Sequence, residues 1–173
     1  MNENIAPIIN LGDINKCPKQ KKQYSFLLDQ TDIPLDLPGV KLDGPVTADL
    51  TVQNSDGIFE LFGQLSAKLK LNCGRCLVEI IKDVDYHMSE KFIVGKNQKH
   101  DDEDIIVLEK EQLNLLDYIA EGIEFAIDSK VVCKEDCLGL CPGCGCDLNK
   151  GSCTCDLENI DPRMAVLKNL LKK

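Results

Sequence analysis

Tryptophan is absent from the 173-residue chain, aromatic residues make up only 5% of it, and histidine occurs twice. A core without large rings has to be filled by aliphatic side chains. The two histidines, His87 and His100, stand on polar flanks, so no Ser–His or Cys–His pair is available for nucleophilic catalysis. No glycine-rich loop has the spacing that cradles phosphates. No apolar run approaches the roughly 20 residues that span a bilayer, and Met1 to Asp13 lacks the charged-then-apolar pattern of a signal peptide. The expectation is a soluble, cytoplasmic, non-enzymatic protein with reduced thiols, acting on neither a membrane nor a small-molecule substrate. Positive charge is also scarce: 20 Lys and Arg against 29 Asp and Glu give a formal charge of −9. So acidic a chain holds nucleic acid only where cations are gathered locally.

Cysteine is abundant. Of ten cysteines, seven fall in the twenty-three residues from Cys133 to Cys155, reading CKEDCLGLCPGCGCDLNKGSCTC. The turn Cys141-Pro142-Gly143-Cys144-Gly145 places two thiolates on a tight loop whose amides can point at sulfur, and Cys153 and Cys155 follow closely. Four sulfurs on one loop can close a tetrahedron around Zn²⁺ with bonds of about 2.3 Å. Disulfides explain the density less well, because a bridge between residues three apart is strained and nothing points to an oxidising compartment.

Upstream the pattern is that of strands. Tyr24, Phe26 and Leu28 alternate after the lysines Lys16, Lys19, Lys21 and Lys22, which read as a solvated face. Val46, Ala48, Leu50 and Val52 alternate with polar residues, and Asn54-Ser55-Asp56-Gly57 is a turn. A second strand carries Phe59, Leu61, Gly63, Leu65, Ala67, Leu69 and Leu71 on one face, with Gly63 read as a bulge. A third carries Val78, Ile80, Val84, Tyr86 and Met88. His100 to Asp104 is an acidic loop, and apolar residues at helical spacing predict an amphipathic helix from about Asn114 to Asp128. Asp161 and Pro162 open a last helix with a basic face of Arg163, Lys168, Lys172 and Lys173.

Between the second and third strands lies Cys73-Gly74-Arg75-Cys76, a second knuckle. A redox Cys-x-x-Cys is expected at a helix N-terminus, and here the flanks are strands. Two divisions of the cysteines are open. In one, Cys141, Cys144, Cys153 and Cys155 form a local site, while Cys73, Cys76, Cys133 and Cys137 form a long-range one. In the other, the knuckles Cys73/Cys76 and Cys141/Cys144 pair as in a zinc ribbon. Cys146 can replace a neighbour in either scheme, and Cys17 has no assigned role. Four-sulfur sites leave no open coordination position and are structural by default. Each such site with Zn²⁺ carries a charge of about −2, so two sites take the chain to about −13.

Four separated motifs resemble the YceD family, the large ribosomal RNA subunit accumulation proteins. They are Cys73-Gly74-Arg75-Cys76, Leu115-Leu116-Asp117-Tyr118-Ile119, Cys137 through Gly145, and Ile160-Asp161-Pro162-Arg163-Met164-Ala165-Val166-Leu167. The resemblance runs from about Val46 onward. It implies a non-enzymatic role in producing or stabilising the 23S ribosomal RNA, and hence in assembly of the large subunit.

The fold expected is α+β: an antiparallel β-meander or partly open barrel covered by one or two helices, with a zinc-bound C-terminal segment. Residues 1–130 are read as the β-rich domain and residues 131–173 as the cysteine-rich segment with the last helix. Two Zn²⁺ ions are expected. Contact with ribosomal RNA or a large-subunit ribosomal protein is assigned to Lys68, Lys70, Arg75, Arg163 and Lys168. Two other readings are a thiol redox sensor or holdase, and an acidic adaptor for basic proteins.

Overall fold

The computed structural model describes residues 7–15, 21–95 and 104–155. These fall into two compact units, one from Met1–Leu71 and Glu79–Ser129, the other from Asn72–Val78 and Lys130–Lys173. Cys17, Lys16, Lys19, the acidic residues from His100 to Glu103 and the basic last helix lie outside the described residues.

The first unit is built on one curled half-barrel sheet. Its strands in chain order are β2 (Lys21–Leu28), β3 (Val40–Leu42), β4 (Val46–Ser55), β5 (Ile58–Asn72), β6 (Glu79–Val94) and β7 (Ile105–Leu108), after a short β1 (Ile8–Asn10) and α1 (Leu11–Asn15). The spatial order is β2-β4-β5-β6-β7, with β3 pairing β5 at Leu69–Leu71 beyond the stretch that β4 occupies. β8 (Gln112–Asn114) pairs β1 in a separate two-stranded sheet and leads into α2 (Leu116–Phe125).

Local chemistry accounts for the central hairpin. Asp56 and Gly57 both hold positive φ, 55° and 91°, between the paired residues Ser55 and Ile58. A two-residue turn of that hand matches the twist of the flanking strands, and Asp-Gly is the sequence that tolerates it. The buried side chain of Asn54 closes the turn by accepting the Gly57 N–H at 2.9 Å. From there the predicted alternation runs out along both strands: Val46, Ala48, Leu50 and Val52 are buried on β4, and Phe59, Leu61, Leu65, Ala67, Leu69 and Leu71 on β5. Helix α2 buries Ile119, Ala120 and Ile123, and Tyr118 meets the ring of the fully buried Phe92 edge-on at 5.3 Å. On the exposed side, polar groups pair across strands, as in Ser25 with Asp49 and Ser66 with Asp85.

The structure departs from the sequence reading at two places. Gly63 is not a bulge: it stands in unbroken register opposite Leu50. Its role is close approach, because a Cβ there would lie 2.1 Å from the Asp49 carbonyl oxygen and 2.8 Å from the Leu50 Cα. At one edge the sheet is not antiparallel, since β7 runs parallel to β6 through the register Lys91–Ile105 to Val94–Leu108. Among the described residues no helix is long and apolar enough to cross a membrane.

Both atoms that crowd position 63 are backbone, so a methyl group there has to push β4 and β5 apart. Gly63→Ala is expected to lower stability by about 1–3 kcal/mol, the usual cost of overpacking. Denaturant unfolding of the full chain checks this; an unchanged midpoint would show that the strands part freely.

Candidate metal centres

The second unit gathers its thiols into two groups, each with all its sulfurs within 4.8 Å of one another: Cys73, Cys76, Cys133 and Cys137, and Cys141, Cys144, Cys146 and Cys153. The first group starts from the knuckle after β5. Cys73 N–H donates to the Val78 carbonyl and Leu77 N–H to the Cys73 carbonyl, both at 2.9 Å, and Leu77 holds a φ of 59° to close the turn. Gly74 N–H reaches the Val131 carbonyl at 2.8 Å, which brings in the segment carrying Cys133 and Cys137.

The sulfurs of Cys73 and Cys137 lie 3.8 Å apart and those of Cys76 and Cys133 3.6 Å apart. Four sulfurs at about 2.3 Å from a tetrahedral ion stand about 3.8 Å from one another, so the donor set fits a thiophilic divalent ion. Cys73, Cys76 and Cys137 are buried with Val132 and Leu140 packed on them, while Cys133 is exposed. The amides of Arg75 and Cys133 both point at the Cys73 sulfur at 3.4 Å. Amides aimed at sulfur favour the thiolate: the Cys76 N–H foremost brings the Cys73 thiol down to about 6, against an opposing push from burial.

Arg75, expected as a partner contact, is engaged within this unit. Its Nη1 donates to the carbonyls of Cys137 at 2.7 Å and Glu135 at 3.3 Å, and its own carbonyl accepts the Leu140 N–H at 3.1 Å. That approach explains Gly139, whose φ is 78° and whose Cβ would stand 3.0 Å from the Arg75 oxygen. The guanidinium therefore ties the first knuckle to the loop bearing its partner thiols.

The second group turns on Cys141. Gly145 N–H donates to the Cys141 carbonyl and Cys141 N–H to the Cys146 carbonyl, both at 2.8 Å, and Gly145 has a φ of 73°. The chain thus doubles back and sets Cys146 beside Cys144 and Cys153, in the place that the sequence reading gave to Cys155 within this quartet. Cys155, exposed and two residues beyond Cys153 in the chain, stands outside this quartet and is a fifth thiol next to it in sequence. The sulfurs of Cys153 and Cys141 are 3.3 Å apart. Amides of Cys144, first, and Gly143, together with the Cys153 thiol, bring Cys141 down to about 6.

The knuckles Cys73/Cys76 and Cys141/Cys144 stand in different groups, so the ribbon pairing is not the arrangement found. Sequence reasoning left Asn149 out. Its Oδ1 accepts the Leu138 N–H at 3.0 Å, and its Nδ2 donates to the Cys137 sulfur at 3.5 Å and to Asp147 at 2.8 Å. The available signal was Asp147-Leu148-Asn149, an Asx-type turn in which Asp147 also accepts the Asn149 N–H at 3.0 Å. Of the cations assigned to a partner, Lys68 pairs with Asp83 at 3.7 Å, and Lys70 stands between Asp43 at 3.8 Å and Glu79 at 3.6 Å. Arg163 and Lys168 lie outside the described residues.

In the metal-free chain, Cys73 and Cys141 should ionise near pH 6, well below the ordinary thiol value of 9.0. Because the folded-state values lie below the unfolded ones, the stability these two thiolates contribute is fully present above about pH 9 and lost as pH falls through about 6. Thiolate absorbance followed against pH should show this early component, reduced by one equivalent in Cys73→Ser and again in Cys141→Ser; a profile with no ionisation below pH 8 would contradict it. Asn149→Ala removes a donor to a sulfur and is expected to weaken metal binding by about 10–100-fold, as losses around a ligand shell do. Competition against a chromophoric chelator measures it, with Lys41→Ala, exposed on β3, as a surface control.

Uncharacterized proteins of Mycobacterium bovis and of two strains of Mycobacterium tuberculosis are each 27% identical to this chain over 143 residues, an overlap covering 80% of it and 68% of each relative. No solved structure matches the chain. Residues 61–171, which begin within β5 and take in both thiol groups, match the family described as Large ribosomal RNA subunit accumulation protein YceD, and the chain belongs to that family.

Proposed function

We propose that this protein is a non-enzymatic cytoplasmic factor that supports accumulation of the 23S ribosomal RNA and assembly of the large ribosomal subunit by binding RNA or a ribosomal protein. The observation that carries the reading is the family match across residues 61–171. Each thiol group is assigned one Zn²⁺, held by Cys73, Cys76, Cys133 and Cys137 in one centre and by thiols of the segment from Cys141 to Cys155 in the other. The spacing of the sulfurs and the amides aimed at them support this assignment. A zinc ion enclosed by four thiolates supplies structural cross-linking rather than an open Lewis-acid position. Elemental analysis is expected to find two zinc ions per chain.

In this reading, cationic residues make the contact: Arg75, Arg163 and Lys168, with Lys68 and Lys70 contributing where their carboxylate partners yield. A contact of that kind weakens as salt rises, because phosphate binding releases counterions. A second reading is favoured by the pairing of Lys68 and Lys70 with Asp83, Asp43 and Glu79, which leaves the β-sheet unit little unneutralised positive charge at these positions. In it, a basic ribosomal protein is gripped by acidic surface.

Co-sedimentation with large-subunit precursors decides between them. If RNA is the partner, Lys168→Glu should reduce association while zinc content and thermal stability stay unchanged, and ribonuclease should release the protein. If a basic protein is the partner, that substitution is harmless, and neutralising Asp101, Asp102, Glu103 and Asp104 is the damaging change. Association unaltered by either set would overturn both placements of the contact.

A further inference from the structure

The first centre has four thiols for four coordination positions. The second has four mutually close thiols, Cys141, Cys144, Cys146 and Cys153, and a fifth, Cys155, only two residues beyond Cys153 in the chain. Exposure differs as well: three of the four thiols of the first centre, Cys73, Cys76 and Cys137, are buried and Cys133 is exposed, whereas in the second only Cys141 is buried, with Cys144 and Cys155 exposed and Cys146 and Cys153 half-buried. Sulfur thus outnumbers the positions of a tetrahedral ion at the more open of the two centres.

We propose that Cys146 and Cys155 are interchangeable fourth ligands of the second centre, and that whichever is unbound makes this centre an oxidation-sensitive release point for its metal while the first centre keeps its own. The inference rests on the metal-binding reading given above. The oxidant is hydrogen peroxide. The unbound thiol attacks it, breaking the O–O bond to give a cysteine sulfenic acid and one water. A neighbouring coordinated thiolate then attacks the sulfenic sulfur: an S–S bond forms, the S–O bond breaks and hydroxide leaves. Two cysteine sulfurs are oxidised, one peroxide is reduced, and the ion is left with three sulfurs instead of four. A ligand that is already bound offers its electron pair to the metal, so a free thiol beside the ion is the faster entry point. The first centre has no such spare sulfur, and its knuckle thiol Cys73 is fully buried.

The test uses the reduced full chain loaded with Zn²⁺, its zinc content measured before any oxidant is added. Hydrogen peroxide is then added with a chromophoric zinc chelator present, and disulfides are mapped by mass spectrometry. One of two zinc equivalents should be released while the other stays, with disulfides confined to the residues from Cys141 to Cys155. Cys146→Ser and Cys155→Ser should each still hold two zinc ions but release the labile one more slowly. The double variant, left with three thiols at this centre, should hold one. Release of both equivalents together, disulfides at Cys73 or Cys137, or loss of an ion from either single variant would overturn the inference and leave the metal reading standing. A zinc content below two before oxidation would instead overturn that reading, and this inference with it.

Discussion

A tetrahedral ion accepts sulfur only at a fixed spacing, and the cysteine-rich unit is organised so that thiols far apart in the chain reach that spacing. Cys73 and Cys137 are 64 residues apart in sequence, yet their sulfurs stand 3.8 Å from one another. The surrounding features serve this end: positive φ at Leu77, Gly139 and Gly145, amides turned onto sulfur, and the Arg75 guanidinium holding the opposite loop by its carbonyls. Among the described residues little apolar surface assists at the first centre, where the buried cluster is three cysteines with Val132 and Leu140 packed against it. A cluster enclosed by so few apolar side chains is of the kind that a metal or disulfide staple stabilises.

The β-sheet unit follows the opposite logic, with the aliphatic pattern carrying the fold, and it was correspondingly easier to read. Alternation along Val46 to Val52 and Phe59 to Leu71 is a local property of the chain, as is the Asp56-Gly57 turn. The pairing of β1 with β8 depends on residues brought together over a long separation and that of β7 with β6 on a parallel crossover, and no periodicity announces either. Gly63 illustrates the limit: the glycine was visible, but whether it marked a bulge or a close approach depended on the strand opposite.

At the thiol groups the ligand types were legible and the allotment less so. The knuckle spacings announced Cys73/Cys76 and Cys141/Cys144, whereas the entry of Cys146 into the second group follows from the left-handed turn at Gly145 and one backbone hydrogen bond. The cationic residues show the same limit. Lys70 reads as a free charge on an alternating strand, but its partners Asp43 and Glu79 come from segments on either side of β5 in the sequence.

The separation of the first centre's ligands also sets an order of events during synthesis. Cys133 follows Cys76 by 57 residues, so at about 5–20 residues per second the nascent knuckle waits several seconds before its partner thiols are made. Through that interval Cys73 and Cys76 offer an ion only two sulfurs, too few to enclose it. The later group, whose thiols all lie between Cys141 and Cys155, can assemble as soon as its own short loop has emerged. The centre begun first on the ribosome is thus one whose completion depends on a distant stretch of the message, and a chain truncated before Cys133 would hold the knuckle pair Cys73 and Cys76 without the thiols that complete the group.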